Sequence, residues 1–425
     1  LTLLTLFLAV LAYYFIIFVK DIENSITTLF FAIIILLLKL HRPGFVEMNL
    51  RNLGHIVDFN TIGILLGMMI VVGFLKKSGF FQYMIIKMLR FTRGNFDLML
   101  LMLMITVSVT SAFLDNVITI LMTLPMIFLI ADTMEVDPTP MVLMTIFMDN
   151  VGGMATLIGS PLNLVLGSIS GKSFNDFLTH TGVFTIIAFV IVYYLSKRWV
   201  KTGASEIEKL KKLSEMDPEK AIEDKRMMKV SVIVFLFIVA GFMLHSILEI
   251  ELSYIALLGA LTLMIIFRSS FEKASEDIDW DTLFFYMGLY TISYSLEEIG
   301  VIQQMAQVLM PLKDHFIAYS MVIMWGAAFI IPFLSAVPGT LILAPVLGYL
   351  VKAGFSKSIW WAYAFGANLG TNFTPLGAVE NLIGVAMLEK QTGRKIGFGE
   401  FMKYGIRSTV PAIAVASVWF LLFYR

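Results

Sequence analysis

The chain has 425 residues, 58% of them apolar and only 15% charged, with a mean hydropathy of +0.86. No water-soluble globular domain of that length has such a composition, so the sequence reads as an integral membrane protein. Its 31 basic and 31 acidic residues balance, giving no reason to expect nucleic acid or another polyanion as partner, and the absence of cysteine excludes disulfides, thiolate metal centres and cysteine nucleophiles.

Leu1–Val19 is apolar without a basic leader or a small-residue cleavage site, which reads as a membrane span rather than a signal peptide. A helix needs about 20 apolar residues to cross the hydrocarbon core. On that rule ten crossings are expected, near 1–19, 26–40, 60–75, 141–169, 180–196, 229–247, 252–267, 281–297, 359–387 and 406–423. Two longer apolar stretches, 97–131 and 316–350, are interrupted by polar turns, Ser111-Ala-Phe-Leu-Asp115-Asn116 and Ser335-Ala-Val-Pro338-Gly339-Thr340, and read as re-entrant hairpins. Between the halves, Lys197–Lys229 is rich in lysine and arginine and is placed in the cytoplasm by the positive-inside rule. Lys76, Lys77, Lys87, Arg90, Arg93, Arg268, Lys273, Arg394, Lys395 and Lys403 then fall on the same side, whereas Lys39, Arg42 and Arg51 fall on the other.

The expected organisation is N-terminal helices over 1–56, a first unit over 57–196, the linker 197–229 and a second half over 230–425. The second half repeats the first. Asp58-Phe-Asn-Thr61 matches Asp279-Trp-Asp-Thr282, and Gly67, Gly79 and Gln82 match Gly288, Gly300 and Gln303, all 221 positions apart. Further on, Asn150-Val-Gly-Gly-Met-Ala-Thr-Leu-Ile-Gly-Ser-Pro-Leu-Asn163 matches Asn368-Leu-Gly-Thr-Asn-Phe-Thr-Pro-Leu-Gly-Ala-Val-Glu-Asn381 at an offset of 218. An offset that drifts so little marks a duplication. Five crossings separate the starts of the units, so the second copy is expected upside down relative to the first. Inverted repeats of this kind place substrate near the bilayer midplane, where broken helices free backbone groups.

Three acids fall at membrane depth, Asp115, Asp149 and Glu380, with no lysine or arginine in the same apolar stretches. Each costs about 2.5–3.5 kcal/mol to insert, so a bound Na⁺ or a proton is the natural partner. Asp115 also suits a helix N-cap. The oxygen-rich first turn and the start of the first break nominate Ser111, Asp115, Asn116, Asn150 and Gly152 for the cation, with Na⁺ at Asp115, Asn116 and Asn150. The breaks and second turn nominate Thr156, Gly159, Ser160, Asn163, Ser335, Gly339, Thr340, Asn368, Thr371, Asn372, Thr374, Glu380 and Asn381 for substrate. Half-helix N-termini suit an anion, while the glycines taken singly fit close helix packing equally well. None of the five histidines forms an i,i+4 metal pair, and no GxSxG or other catalytic motif appears, so no enzyme is expected.

Ser111-Ala-Phe-Leu-Asp-Asn-Val117, the first broken-helix motif and Asn368-Leu-Gly-Thr-Asn-Phe-Thr-Pro-Leu-Gly377 resemble those of the ion transporter superfamily. It includes ArsB-type arsenite permeases, NhaD-type sodium/proton antiporters, the melanosomal P protein and citrate or dicarboxylate carriers. The resemblance covers the chain from about Val57. It implies an all-α polytopic elevator-type transporter of about ten helices and two hairpins in the cell membrane, moving residues 97–169 and 316–387 together. It further implies a small anion or oxyacid coupled to Na⁺ or H⁺, no other cofactor, no partner but the lipid bilayer and its solute, and compatibility with a homodimer. Relatives carry an aspartate where Ser160 stands and acids or amides where Val337-Pro338-Gly339-Thr340 stands, so a second cation site is not expected. A Na⁺/H⁺ antiporter is the nearest alternative reading, and an ion channel the alternative of another class.

Overall fold

The computed structural model describes residues 7–12, 23–37, 50–201, 203, 209 and 215–424. Most of the expected 1–19 span, Lys39, Arg42 and the middle of the linker lie outside them. The described chain is helical, and seven of its helices are long and apolar enough to cross a membrane: 59–77, 96–113, 116–134, 174–197, 225–248, 316–334 and 398–423. It is an all-helical membrane protein.

The elements used below are α1 (Asn24–Leu37), α2 (Phe59–Lys77), α3 (Phe80–Thr92), α4 (Phe96–Phe113), α5 (Asn116–Met134), α6 (Thr139–Gly153), α7 (Pro161–Ser170) and α8 (Phe174–Lys197). They continue with α9 (Lys225–Leu248), α10 (Leu252–Ile266), α11 (Trp280–Glu298), α12 (Val301–Gln307), α13 (Phe316–Leu334), α14 (Ala336–Lys352), α15 (Ile359–Gly370), α16 (Val379–Thr392) and α17 (Phe398–Phe423). The short helices α3 and α12 were not among the ten expected crossings.

Matching residues make matching elements. Asp58 caps α2 by accepting from the amide of Asn60 at 3.0 Å, and Asp279 caps α11 by accepting from Thr282 at 3.1 Å. Both helices run 19 residues and give way to a left-handed glycine, Gly79 (φ 80°) or Gly300 (φ 86°), a conformation that glycine adopts without strain. The correspondence also starts one helix earlier than the sequence motifs. Helix α1 packs along α11 as α10 packs along α2, and the amides of Ser25 and Ser253 donate to the equivalent side chains of Asp281 and Asn60, at 3.3 and 3.0 Å. These contacts explain the matched glycines. A Cβ at Gly67 would stand 2.6 Å from the backbone of Ala256, and one at Gly288 would stand 2.6 Å from Thr28. Gly67→Ala and Gly288→Ala should therefore each destabilise by about 1–3 kcal/mol, read as a lower melting temperature of detergent-purified protein. An unchanged melting temperature would show that these helix pairs are not tightly apposed.

The hairpins turn more sharply than the sequence suggests. Only Leu114 and Asp115 separate α4 from α5, so Ser111 stands in the last turn of one helix and Asn116 opens the next. In the second hairpin Ser335 alone makes the turn, at φ 67° and ψ 153°. Ala336 to Thr340, expected within a polar turn, already belong to α14, where Pro338 sits in the first turn and no intrahelical N–H is required. Arms of 18 and 19 residues span about 27 Å, as long as a full crossing.

Candidate functional site

The two breaks face each other at the centre of the protein. Helix α6 ends at Gly153 and α7 begins at Pro161; α15 ends at Gly370 and α16 begins at Val379. Each break is fastened to its own hairpin. Thr156 donates its hydroxyl to the carbonyl of Ala112, and Thr374 donates to that of Pro332, the equivalent position. Gly152 lies against the backbone of Ser108 and Gly370 against that of Ala328, where a Cβ would come to 2.3 and 2.5 Å of a carbonyl oxygen. Gly159 is likewise pinned between the carbonyls of Gly153 and Ala112.

Asparagines then satisfy the carbonyls that the breaks release. Asn163 Nδ2 lies 2.8 Å from the Thr156 carbonyl and 3.2 Å from that of Gly153, and Asn381 Nδ2 donates to Thr371 at 2.8 Å and Thr374 at 3.0 Å. The same two residues join the halves. Asn150 donates to Asn381 Oδ1 at 2.8 Å, and Asn368 donates to Asn163 Oδ1 at 2.9 Å. Since Asn150 is equivalent to Asn368 and Asn163 to Asn381, exchanging the units maps one hydrogen bond onto the other.

Next to this crossed pair lies a cavity of about 330 Å³. Of the residues nominated from sequence, Asp115, Asn150, Ser160, Ser335, Asn368, Thr371 and Glu380 line it. Asp115 accepts from the amide of Val117 at 2.9 Å as the cap of α5. Glu380 accepts from Asn116 Nδ2 at 2.8 Å, and Asn116 Oδ1 accepts from Ser111, whose hydroxyl also reaches the carbonyl of Asp149 at 2.6 Å. Asn150 commits its amide hydrogens to Asn372 and Asn381, leaving its carbonyl oxygen as the group it can offer a ligand.

The remaining nominees stand behind the wall. Ser111, Asn116, Gly152, Thr156, Gly159, Asn163, Asn372, Thr374 and Asn381 are bonded or packed to the breaks and hairpins and do not line the cavity. Gly339 meets Ile331, and Thr340 accepts from Tyr363 at 2.9 Å, so neither reaches it. The sequence reading omitted the cavity's mouth: Lys76, Glu276, Asp277 and Asp279, with Asp277 bonded to Lys77 at 2.5 Å. Only folding brings the end of α2 to the segment preceding α11. Five acids and one lysine line the cavity, which favours a cation inside it.

The family model described as "Citrate transporter" matches residues 13–347 of this chain. The chain belongs to the citrate transporter family. It is thus a transporter and not an enzyme, and it sits in a membrane with many passes. It is 31% identical over 376 residues to a 46 kDa membrane protein of Mycobacterium leprae, covering 87% of each, and 30% identical over 373 residues to an uncharacterized transporter of Mycobacterium tuberculosis, again covering 87% of each. The human P protein is 25% identical over 457 residues, covering 87% of this transporter and 54% of that protein. Among solved structures, the Alcanivorax borkumensis YdaH transporter superposes with a TM-score of 0.61 at 15% identity, covering 95% of this chain and 99% of the other. Neisseria gonorrhoeae MtrF follows at 0.54 and 12% identity, covering 94% and 85%. The fold is that of these transporters.

Proposed function

We propose that this transporter is a secondary active carrier that couples Na⁺ or H⁺ to the movement of a small anion or oxyacid, citrate-like in its chemistry, by an elevator motion of the hairpins and broken helices. The observation that carries this reading is the crossed pair Asn150–Asn381 and Asn368–Asn163 beside the cavity. Two equivalent breaks meeting there bring Asn150 and Asn368 to the cavity wall from the two halves of the chain, each with its amide hydrogens engaged and its side-chain oxygen left for a ligand, the arrangement that midplane transporter sites use. The cavity also combines the C-terminal half of α2 with the start of α11, which supports an inverted orientation of the two units. An anion entering among five carboxylates and one lysine needs a co-bound cation to offset the repulsion. That is the physical case for coupling.

The same excess of acid favours a second reading, a Na⁺/H⁺ antiporter, in which the acids alone alternate between ions. Flux into proteoliposomes separates the two. Labelled citrate, phosphate, sulfate or arsenite should accumulate in a saturable manner and cease to do so when the Na⁺ or H⁺ gradient is collapsed. Exchange of Na⁺ for H⁺ with no anion taken up would establish the antiporter instead, and a non-saturating current insensitive to the gradient would establish a channel.

A further inference from the structure

Helix α2 ends in two lysines, and the residue after them lies against the end of the Lys197–Lys229 segment. The carbonyl of Ser78 accepts from the amides of Glu223 and Asp224, at 3.1 and 3.5 Å. On that side of the protein a pocket of about 220 Å³ opens between the end of α2, the start of α9 and the segment that joins α10 to α11. Its floor is apolar, made by Ile70 and Phe74 of α2, Met227 of α9 and Phe267, whose ring stands 5.7 Å from that of Phe74. Its rim is cationic. Lys77, Arg268 and Lys273 line it together with a single acid, Asp277. Lys77 is bonded to Asp277 at 2.5 Å, so those two charges offset each other. The side chains of Arg268 and Lys273 are exposed and have neither an ion pair nor a hydrogen bond among the described residues. Two free cations above an apolar floor select an anion that carries apolar matter with it.

The surroundings show where that apolar matter lies. Leu258, Leu261 and Ile265, which are 67%, 43% and 76% exposed, recur at the spacing of one helix face and form a stripe along α10 that leads to Arg268. Phe271, 72% exposed, follows that arginine three residues later. Apolar side chains left uncovered in this number mark a surface that meets the membrane. The pocket therefore stands at the edge of the hydrocarbon layer, at the level of the lipid headgroups. Its basic rim lies on the side that the positive-inside rule places in the cytoplasm, where basic pockets between membrane helices take anionic headgroups. Its volume admits a headgroup and not a whole lipid.

We propose that the Arg268–Lys273 pocket binds an anionic phospholipid, with the phosphate between the guanidinium and the ammonium, the glycerol over Phe74 and Phe267, and the chains along the Leu258–Ile265 face of α10. The chain has no cysteine, so Ser269→Cys places a single reporter in the lining. A maleimide should label it readily in phosphatidylcholine nanodiscs, and replacing part of the lipid with phosphatidylglycerol should slow that labelling. Inorganic phosphate and glycerol 3-phosphate in solution should not slow it, because neither has chains to lay on the apolar surface. In the same background Arg268→Gln and Lys273→Gln should each raise the phosphatidylglycerol fraction needed for half protection about fivefold, the worth of one basic side chain at an anionic surface. Lys403→Gln, which removes an exposed base outside the pocket, should leave that fraction unchanged.

Labelling that ignores phosphatidylglycerol would overturn the proposal. So would labelling already blocked in phosphatidylcholine, the result expected if a second copy of the chain covers the pocket. Equal protection by soluble phosphate would make it a site for a free anion instead. Protection that survives both Arg268→Gln and Lys273→Gln would place the lipid elsewhere, and an equal loss in Lys403→Gln would reduce the effect to general attraction by the charged bilayer. None of these outcomes bears on the carrier reading, which uptake tests separately.

Discussion

Asn381→Leu should abolish transport and lower the melting temperature of the purified protein more than any other single change in the breaks except its counterpart, Asn163→Leu. Asn381 is fully buried and donates to two carbonyls that the break between α15 and α16 has released, at Thr371 and Thr374, while accepting from Asn150 across the pseudo-symmetric interface. A leucine of similar volume fills the space but leaves the Thr371 carbonyl and one amide hydrogen of Asn150 unpaired where water cannot replace the lost partner, while the Thr374 carbonyl keeps the amide of Gly377. At about 1–3 kcal/mol for each of the two buried groups left unsatisfied, the loss comes to roughly 2–6 kcal/mol, a large part of the 5–15 kcal/mol that typically holds a folded domain together. Asn163→Leu strands the carbonyls of Gly153, Met154 and Thr156 and the amide of Asn368 in the same way. Asn372→Leu is the control. Its oxygen is one of two acceptors for Asn150, and its amide makes a single long bond of 3.4 Å to Phe147, so about 1–2 kcal/mol is expected. Thermal unfolding in detergent ranks the three variants. If Asn381→Leu melts like the parent chain, water reaches the break and the asparagines are not its structural partners.

The all-helical membrane fold and the matched helix ends could be read from the sequence because both follow from local patterns. Apolar runs specify the helices, and Asp58, Gly79, Asp279 and Gly300 mark equivalent ends by capping and by tolerance of positive φ, neither of which depends on the tertiary fold. The division of labour among the polar residues could not be read in that way. Asn150 and Asn163 belong to one motif, yet the first borders the cavity and the second serves the backbone behind it. That distinction depends on which face of each half-helix turns to the other unit. The mouth acids Glu276 and Asp277 precede a predicted span and so resemble ordinary loop charges until α2 is laid beside them. Glycine was ambiguous for a related reason. Gly152 could have exposed its backbone to an ion or allowed a close approach, and its separation from Ser108 assigns it to packing.

Asp115→Asn should remove the dependence of uptake on the coupling cation while leaving the fold as stable as before, and comparison with Asp115→Ala makes the result interpretable. Asp115 has two tasks that sequence alone could not separate. Its Oδ1 accepts from the amides of Val117 and Ile118 and starts α5, and its carboxylate borders the cavity. Asparagine caps a helix about as well as aspartate, so Asp115→Asn preserves the hairpin turn and removes only the charge. Alanine removes both and should cost about 1 kcal/mol in addition. Glu380→Gln completes the set, because glutamine keeps an oxygen to accept from Asn116. The duplication sharpens the expectation: Asp115 corresponds to Ser335 and Glu380 to Leu162, so neither acid has an acidic counterpart in the other unit that could take over its role. If Asp115→Asn keeps full cation dependence and Glu380→Gln loses it, the charge that holds the cation sits on the second broken helix and Asp115 is a cap alone. If both variants keep it, the cation is bound elsewhere, and the acids lining the cavity serve only to draw it in.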